Sequence, residues 1–291
     1  MKTQKKLLFV TNFSEACFHA IPGPAEWVDR EQGELTLLHV HAPGKRQGEI
    51  AGARLKSFFS EADHYAQCSR VLLAGDPVTE IVDYCRRENP ELVFCPASQP
   101  LGFPRLFHRS MRAELVRAGV RIWTRGRAEQ LSPIASKPKN VSYVMTGHPT
   151  WIEEASWAAE LARSAGATLH IIYQTPWPEV HEGMVAADIR LEKPNVSLQE
   201  LQRLEDQFGL RTSLHVTAGT RSRDLGRLLA DCQTDLAVVG EKHAVRHTLF
   251  SSSINAELER LHCEVVCLPV KPLTTATEST ELVLSQPLLG R

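Results

Sequence analysis

The sequence lacks the loops that mark the common nucleotide and hydrolase sites. No GxGxxG follows a strand pattern, no GxxxxGK[ST] occurs, and no GxSxG elbow is present, which removes the dinucleotide, P-loop and serine-hydrolase signatures. Charge of one sign is missing too. With 33 basic against 34 acidic residues, no net field draws the whole molecule to nucleic acid or to a membrane surface. Long apolar runs are absent: the basic start at Met1–Lys6 leads into only Leu7–Val10 before a polar turn, too short for a signal-peptide core or a membrane span. Seven cysteines are scattered with no CxxC pair, so reduced, mostly buried thiols in a cytosolic protein are expected.

What the chain does have is an internal repeat. Leu35–Val40 returns as Leu169–Gln174, Val71–Gly75 as His215–Gly219, and Glu91–Cys95 as Asp235–Val239, with equal spacing from Gly75 to Glu91 and from Gly219 to Asp235. A period this long describes whole domains rather than a solenoid. Each half alternates short β-rich runs with helical patterns, which predicts βα units around a parallel sheet. The strands are expected at Lys6–Thr11, Glu34–Val40, Ser69–Ala74, Glu91–Cys95 and Gly119–Thr124, and again at Val141–Thr146, Thr168–Gln174, Arg211–Thr217, Asp235–Val239 and Glu264–Pro269. Several are unbroken apolar runs, as strands buried on both faces are.

Local signals support the helices. Asp76 is placed to cap a helix whose first residue is Pro77, and Ser197 with Glu200 has capping-box spacing. Pro22, Gly23 and Pro24 predict a break or kink after the first strand, either as a kinked helix or as a loop before a short helix around Trp27. Domain boundaries are expected at 1–125 and 140–271, with the proline-containing polar stretch 126–139 as linker and the threonine-rich 272–291 as a disordered tail.

In order and spacing, Phe9–Ala16, Glu34–Val40, Gly75–Val82, Asp235–Gly240, Ser252–Leu258 and Cys263–Pro269 make each half resemble a universal stress protein domain, across nearly the whole chain. The resemblance implies two five-stranded, doubly wound parallel α/β domains, Rossmann-like and related to adenine nucleotide alpha hydrolases, packed as an intramolecular pseudo-dimer. Whether such chains form homo-oligomers is left open by it. No nucleic acid or membrane partner is expected. The family implies a tandem stress-response protein that works by binding rather than catalysis, with ATP held in the second half as the alternative.

Members that bind ATP place adenine near an acid after the first strand and hold phosphates on a Gly-x2-Gly-x9-Gly-[Ser/Thr] loop opening the last helix, where close backbone approach and free N–H groups suit an anion. Here Asn12 stands at the first-half acid position, Pro96 and Gln99 at the first two glycine positions, and Arg109 with Ser110 at the end. In the second half the acid position falls at Thr146 or Gly147, Gly240 is kept, His243 replaces the second glycine, and Ser252 and Ser253 close a spacer one residue shorter. Arg105, His108 and Arg109, and Lys242, His243, Arg246 and His247, gather basic charge just upstream of each serine. Those clusters fit an anion site or simply solvated loops with serine caps. No cofactor follows from the residues themselves, and no catalytic residue is signalled. His243 and His247 lack a third spaced ligand, so no metal site is expected from their motif. Cys263 and Cys267 are expected as buried structural thiols on one strand face.

Overall fold

The computed structural model describes residues 5–64, 67–95, 111–125, 137–145, 151–175, 198–218, 222–240, 263–269 and 271–273. The chain divides into two compact units, residues 1–122 with 271–291 and residues 123–270. Most of the expected linker and most of the expected tail lie outside the described residues.

In the first unit β1 (Lys6–Val10), β2 (Glu34–His41), β3 (Cys68–Ala74), β4 (Leu92–Phe94) and β5 (Ile122–Arg125) run in the order β3-β2-β1-β4-β5. The boundary between the units falls inside β5. β1 is parallel to both β2 and β4, in register Leu7 to Leu35 and Leu7 to Leu92. In the second unit β6 (Asn140–Met145), β7 (Thr168–Thr175), β8 (Thr212–Ala218), β9 (Leu236–Gly240) and β10 (Glu264–Leu268) repeat that order as β8-β7-β6-β9-β10. Strand order therefore reverses beside β1 in one unit and beside β6 in the other, and such a switch point opens a crevice at the carboxyl ends.

The apolar runs form these strands because both faces are covered. Leu7, Leu8 and Phe9 are buried, as are Val141, Tyr143 and Val144. Phe9 stacks on Phe94 at 5.1 Å between ring centres, linking β1 to β4 through side chains as well as the ladder. The helix Pro77–Glu88 (α4) starts as its sequence dictates: the Asp76 carboxylate accepts from the Thr79 N–H at 3.0 Å and from its hydroxyl at 2.9 Å, and Asn89 closes the other end in the left-handed region. The proline-rich stretch breaks the chain at Ile21. A helix Glu15–Ala20 (α1) stops, and α2 (Pro22–Arg30) begins on the proline itself, passing through Gly23 and Pro24. Both prolines fall in the first turn, where their missing donors have no helical partner to lose. Gly119 reaches φ +93, and its carbonyl accepts from the Leu273 N–H at 2.9 Å, so residues 271–273 return to the first unit. No helix among the described residues is long and apolar enough to cross a membrane.

Past the boundary inside β5, Trp123 belongs to the second unit, where its Nε1 donates to Glu264 Oε2 at 2.7 Å. Burial raises the Glu264 carboxyl from 4.5 to about 7, against the opposing pull of Arg125 and of the Trp123 hydrogen bond. A folded carboxyl that holds its proton more tightly than the unfolded chain does stabilises the fold fully below pH 4.5. That contribution is lost as pH rises toward about 7, by on the order of 3 kcal/mol. Urea unfolding midpoints between pH 4.5 and 8 are expected to fall with pH in the parent protein and to flatten in Glu264→Gln. An unchanged slope would count against an enclosed Glu264.

Candidate functional site

The two crevices have the same topology and different contents. In the first, β1 is followed by Thr11, Asn12 and Phe13. Asn12 is exposed, but its Oδ1 already accepts from the Ser14 N–H at 3.0 Å and from the Cys17 thiol at 3.1 Å. The acid-position side chain is thus engaged in a turn that starts α1. Phe13 follows at φ +60, a conformation that costs a bulky residue about 1–3 kcal/mol unless its surroundings fix it. They do: its N–H donates to Thr11 Oγ1 at 3.0 Å, His39 lies 4.3 Å from its ring, and the Arg54 guanidinium sits 4.7 Å over it. His39 Nδ1 donates to the Thr11 carbonyl at 2.7 Å. Burial lowers its pKa more than that bond raises it, keeping the imidazole neutral near pH 7. Cys95, at the end of β4, is buried, and burial pushes its thiol up to about 12 despite nearby Arg112.

In the second crevice the helix α6 (Trp151–Ala165) follows β6 and turns Ala155, Ala158, Ala159 and Ala162 into the core. Glu154 stands one turn before Ala158 on that same buried face. Its carboxylate lies against Gly240 at the end of β9, so that a Cβ on residue 240 would meet Oε2 at 2.7 Å and Oε1 at 3.1 Å. Tyr143, wholly buried on β6, donates its hydroxyl to Glu154 Oε2 at 2.8 Å. Burial, then the neighbouring carboxylate, raise the Tyr143 pKa, so the hydroxyl remains a donor. Two strands flanking the switch point and the helix after the first of them therefore meet on one carboxyl group.

The fold is shared with known proteins. The chain superposes on a universal stress protein from Archaeoglobus fulgidus with a TM-score of 0.68 at 15% identity, over 91% of this chain and 97% of that one. The chain has the universal stress protein fold. A candidate universal stress protein from Pseudomonas aeruginosa matches over 96% of this chain and 97% of its own at TM-score 0.59 and 17% identity. No protein-family model and no curated protein sequence matches the chain.

Of the residues the sequence singles out, Asn12 and Gly240 lie at the carboxyl ends of β1 and β9, one in each unit. Gly147, Lys242, His243, Ser252 and Ser253 of the second half, and Arg109 and Ser110 of the first, lie outside the described residues. Cys263 and Cys267 are buried, and burial raises the Cys263 thiol to about 12. Glu154 and Tyr143 were not singled out by motif. The available signal was position: Glu154 shares the helix face of four alanines.

If Glu154 is what requires a glycine at 240, then Gly240→Ala lowers stability by about 1–3 kcal/mol, the usual cost of forcing an extra carbon into a filled space. Most of that loss disappears when the same change is made in Glu154→Ala. Denaturant unfolding of the four proteins measures the coupling, and equal costs in both backgrounds would show that Gly240 answers to something else.

Proposed function

We propose that this chain is a two-domain universal stress protein that acts in the stress response by binding a ligand or partner, without enzymatic turnover and without holding ATP in the manner of nucleotide-binding members. The fold likeness along the whole chain and the twice-repeated motifs support the family. The observation that carries the mode of action is Glu154 on Gly240. Phosphate oxygens are acceptors and need donors at close backbone approach. Here two carboxyl oxygens, themselves acceptors, occupy the face of the glycine that would admit them. In the first domain Asn12 Oδ1 is already bonded and Phe13 is packed between His39 and Arg54, which favours the same conclusion.

Lys242, His243, Ser252 and Ser253, with Gly147 in the second domain and Asn12, Arg109 and Ser110 in the first, are the residues we assign to ligand contact. A cytoplasmic location accompanies this reading. One observation favours an ATP-binding, slowly hydrolysing switch in the second domain instead, namely that Gly240 stands where the family's first phosphate glycine would.

Nucleotide carried through purification distinguishes them. Chromatography of the denatured protein is expected to release far less than one adenine nucleotide per chain. One per chain would replace the binding reading by the switch.

A further inference from the structure

Near the amino-terminal ends of the second unit's strands, away from the crevice, three ligand-type side chains converge. His170 on β7 and His215 on β8 place Nδ1 and Nε2 3.1 Å apart. The buried Cys232, which follows the helix Ser222–Asp231 (α8), brings its Sγ to them, so that all three atoms lie within 4.8 Å of one another. The residues come from three separate elements, and the register explains the meeting: Ser142, His170 and Ser213 are neighbours across β6, β7 and β8, and His215 is two residues further along the same face. A hydrogen bond of 2.7 Å between the Ser142 and Thr234 hydroxyls ties the segment carrying Cys232 down onto that face.

Asn140 backs the cluster from the far side of the His170 ring. Asn140 Nδ2 donates to the Gln233 carbonyl at 3.1 Å, which orients its amide so that Oδ1 faces His170 Nε2 at 3.5 Å. With its proton on Nε2, facing that acceptor, the ring turns the Nδ1 lone pair toward His215 and Cys232. This is how a ligating histidine is usually held, its other nitrogen donating to an oxygen acceptor.

We propose that the second unit binds a divalent transition-metal ion, zinc by ligand class, through His170 Nδ1, His215 Nε2 and Cys232 Sγ. Two imidazoles and a thiolate suit Zn2+ over Mg2+ or Ca2+, which take oxygen ligands. The 3.1 Å between the two nitrogens is close to the edge of about 3.3 Å that nitrogens at about 2.0 Å from a tetrahedral ion make. The thiol moves in by about an ångström to complete the set, a side-chain adjustment within reach of one rotamer. On binding, the Cys232 thiol gives its proton to solvent, and the proton shared between the rings shifts to His215 Nδ1. Three protein ligands leave a fourth position for water.

The test uses the full chain, freed of metal by chelation and titrated with Co2+ and then Zn2+. One equivalent of Co2+ should give a thiolate-to-cobalt charge-transfer band that Zn2+ abolishes. The band should be absent in Cys232→Ser, and zinc affinity should fall at least about tenfold in His215→Gln and in Asn140→Ala, the latter acting through His170. Circular dichroism checks that each variant is folded. X-ray absorption of the zinc-loaded parent protein needs no variant: one sulfur at about 2.3 Å with nitrogen at about 2.0 Å supports the site, and a sulfur-free shell overturns it. Absence of stoichiometric binding, or a charge-transfer band that survives Cys232→Ser, overturns it as well.

Discussion

A carboxyl group taken out of water has to find hydrogen-bond donors, and at the heart of the second unit Tyr143 supplies one to Glu154. Much follows from that contact. It fixes where the first turn of α6 sits, it fills the space over Gly240, and it puts acceptors at the switch point of the sheet. The residue at 240 is then constrained twice over, as a strand position buried on both faces and as the only side-chain size that leaves the carboxylate room.

In the first unit other side chains occupy the carboxyl end of β1. There the chain leaves β1 through a left-handed Phe13, held by Thr11, His39 and Arg54, while Asn12 and Cys17 bond one another at the start of α1. The fold supplies two openings at the carboxyl ends of two sheets. Side chains then decide what each will accept.

The strands were legible because their signal is collective. Runs such as Leu7–Val10 and Leu236–Gly240 are apolar throughout, and only burial on both faces of a parallel sheet makes that affordable in water. Expected and observed boundaries differ most at β5, expected from Gly119 but starting at Ile122 because the chain turns at Gly119 with φ +93; elsewhere they shift by one residue, as where β2 runs on through His41 and β7 through Thr175. The Asp76 cap was legible for the opposite reason, being wholly local. The site was less so. Glu154 meets Gly240, and His170 meets Cys232, across long stretches of sequence, and no spacing rule announces such pairs. What the sequence shows is only an acid on an alanine face and a histidine interrupting a buried strand.

Calorimetric titration of the intact protein with ATP and Mg2+ tests the account of the crevices most directly, with Glu154→Ala titrated alongside. The account predicts no saturable heat from the parent protein at millimolar ATP. Saturable binding at one ATP per chain with micromolar affinity, undiminished and unimproved by removing the Glu154 carboxylate, would contradict it.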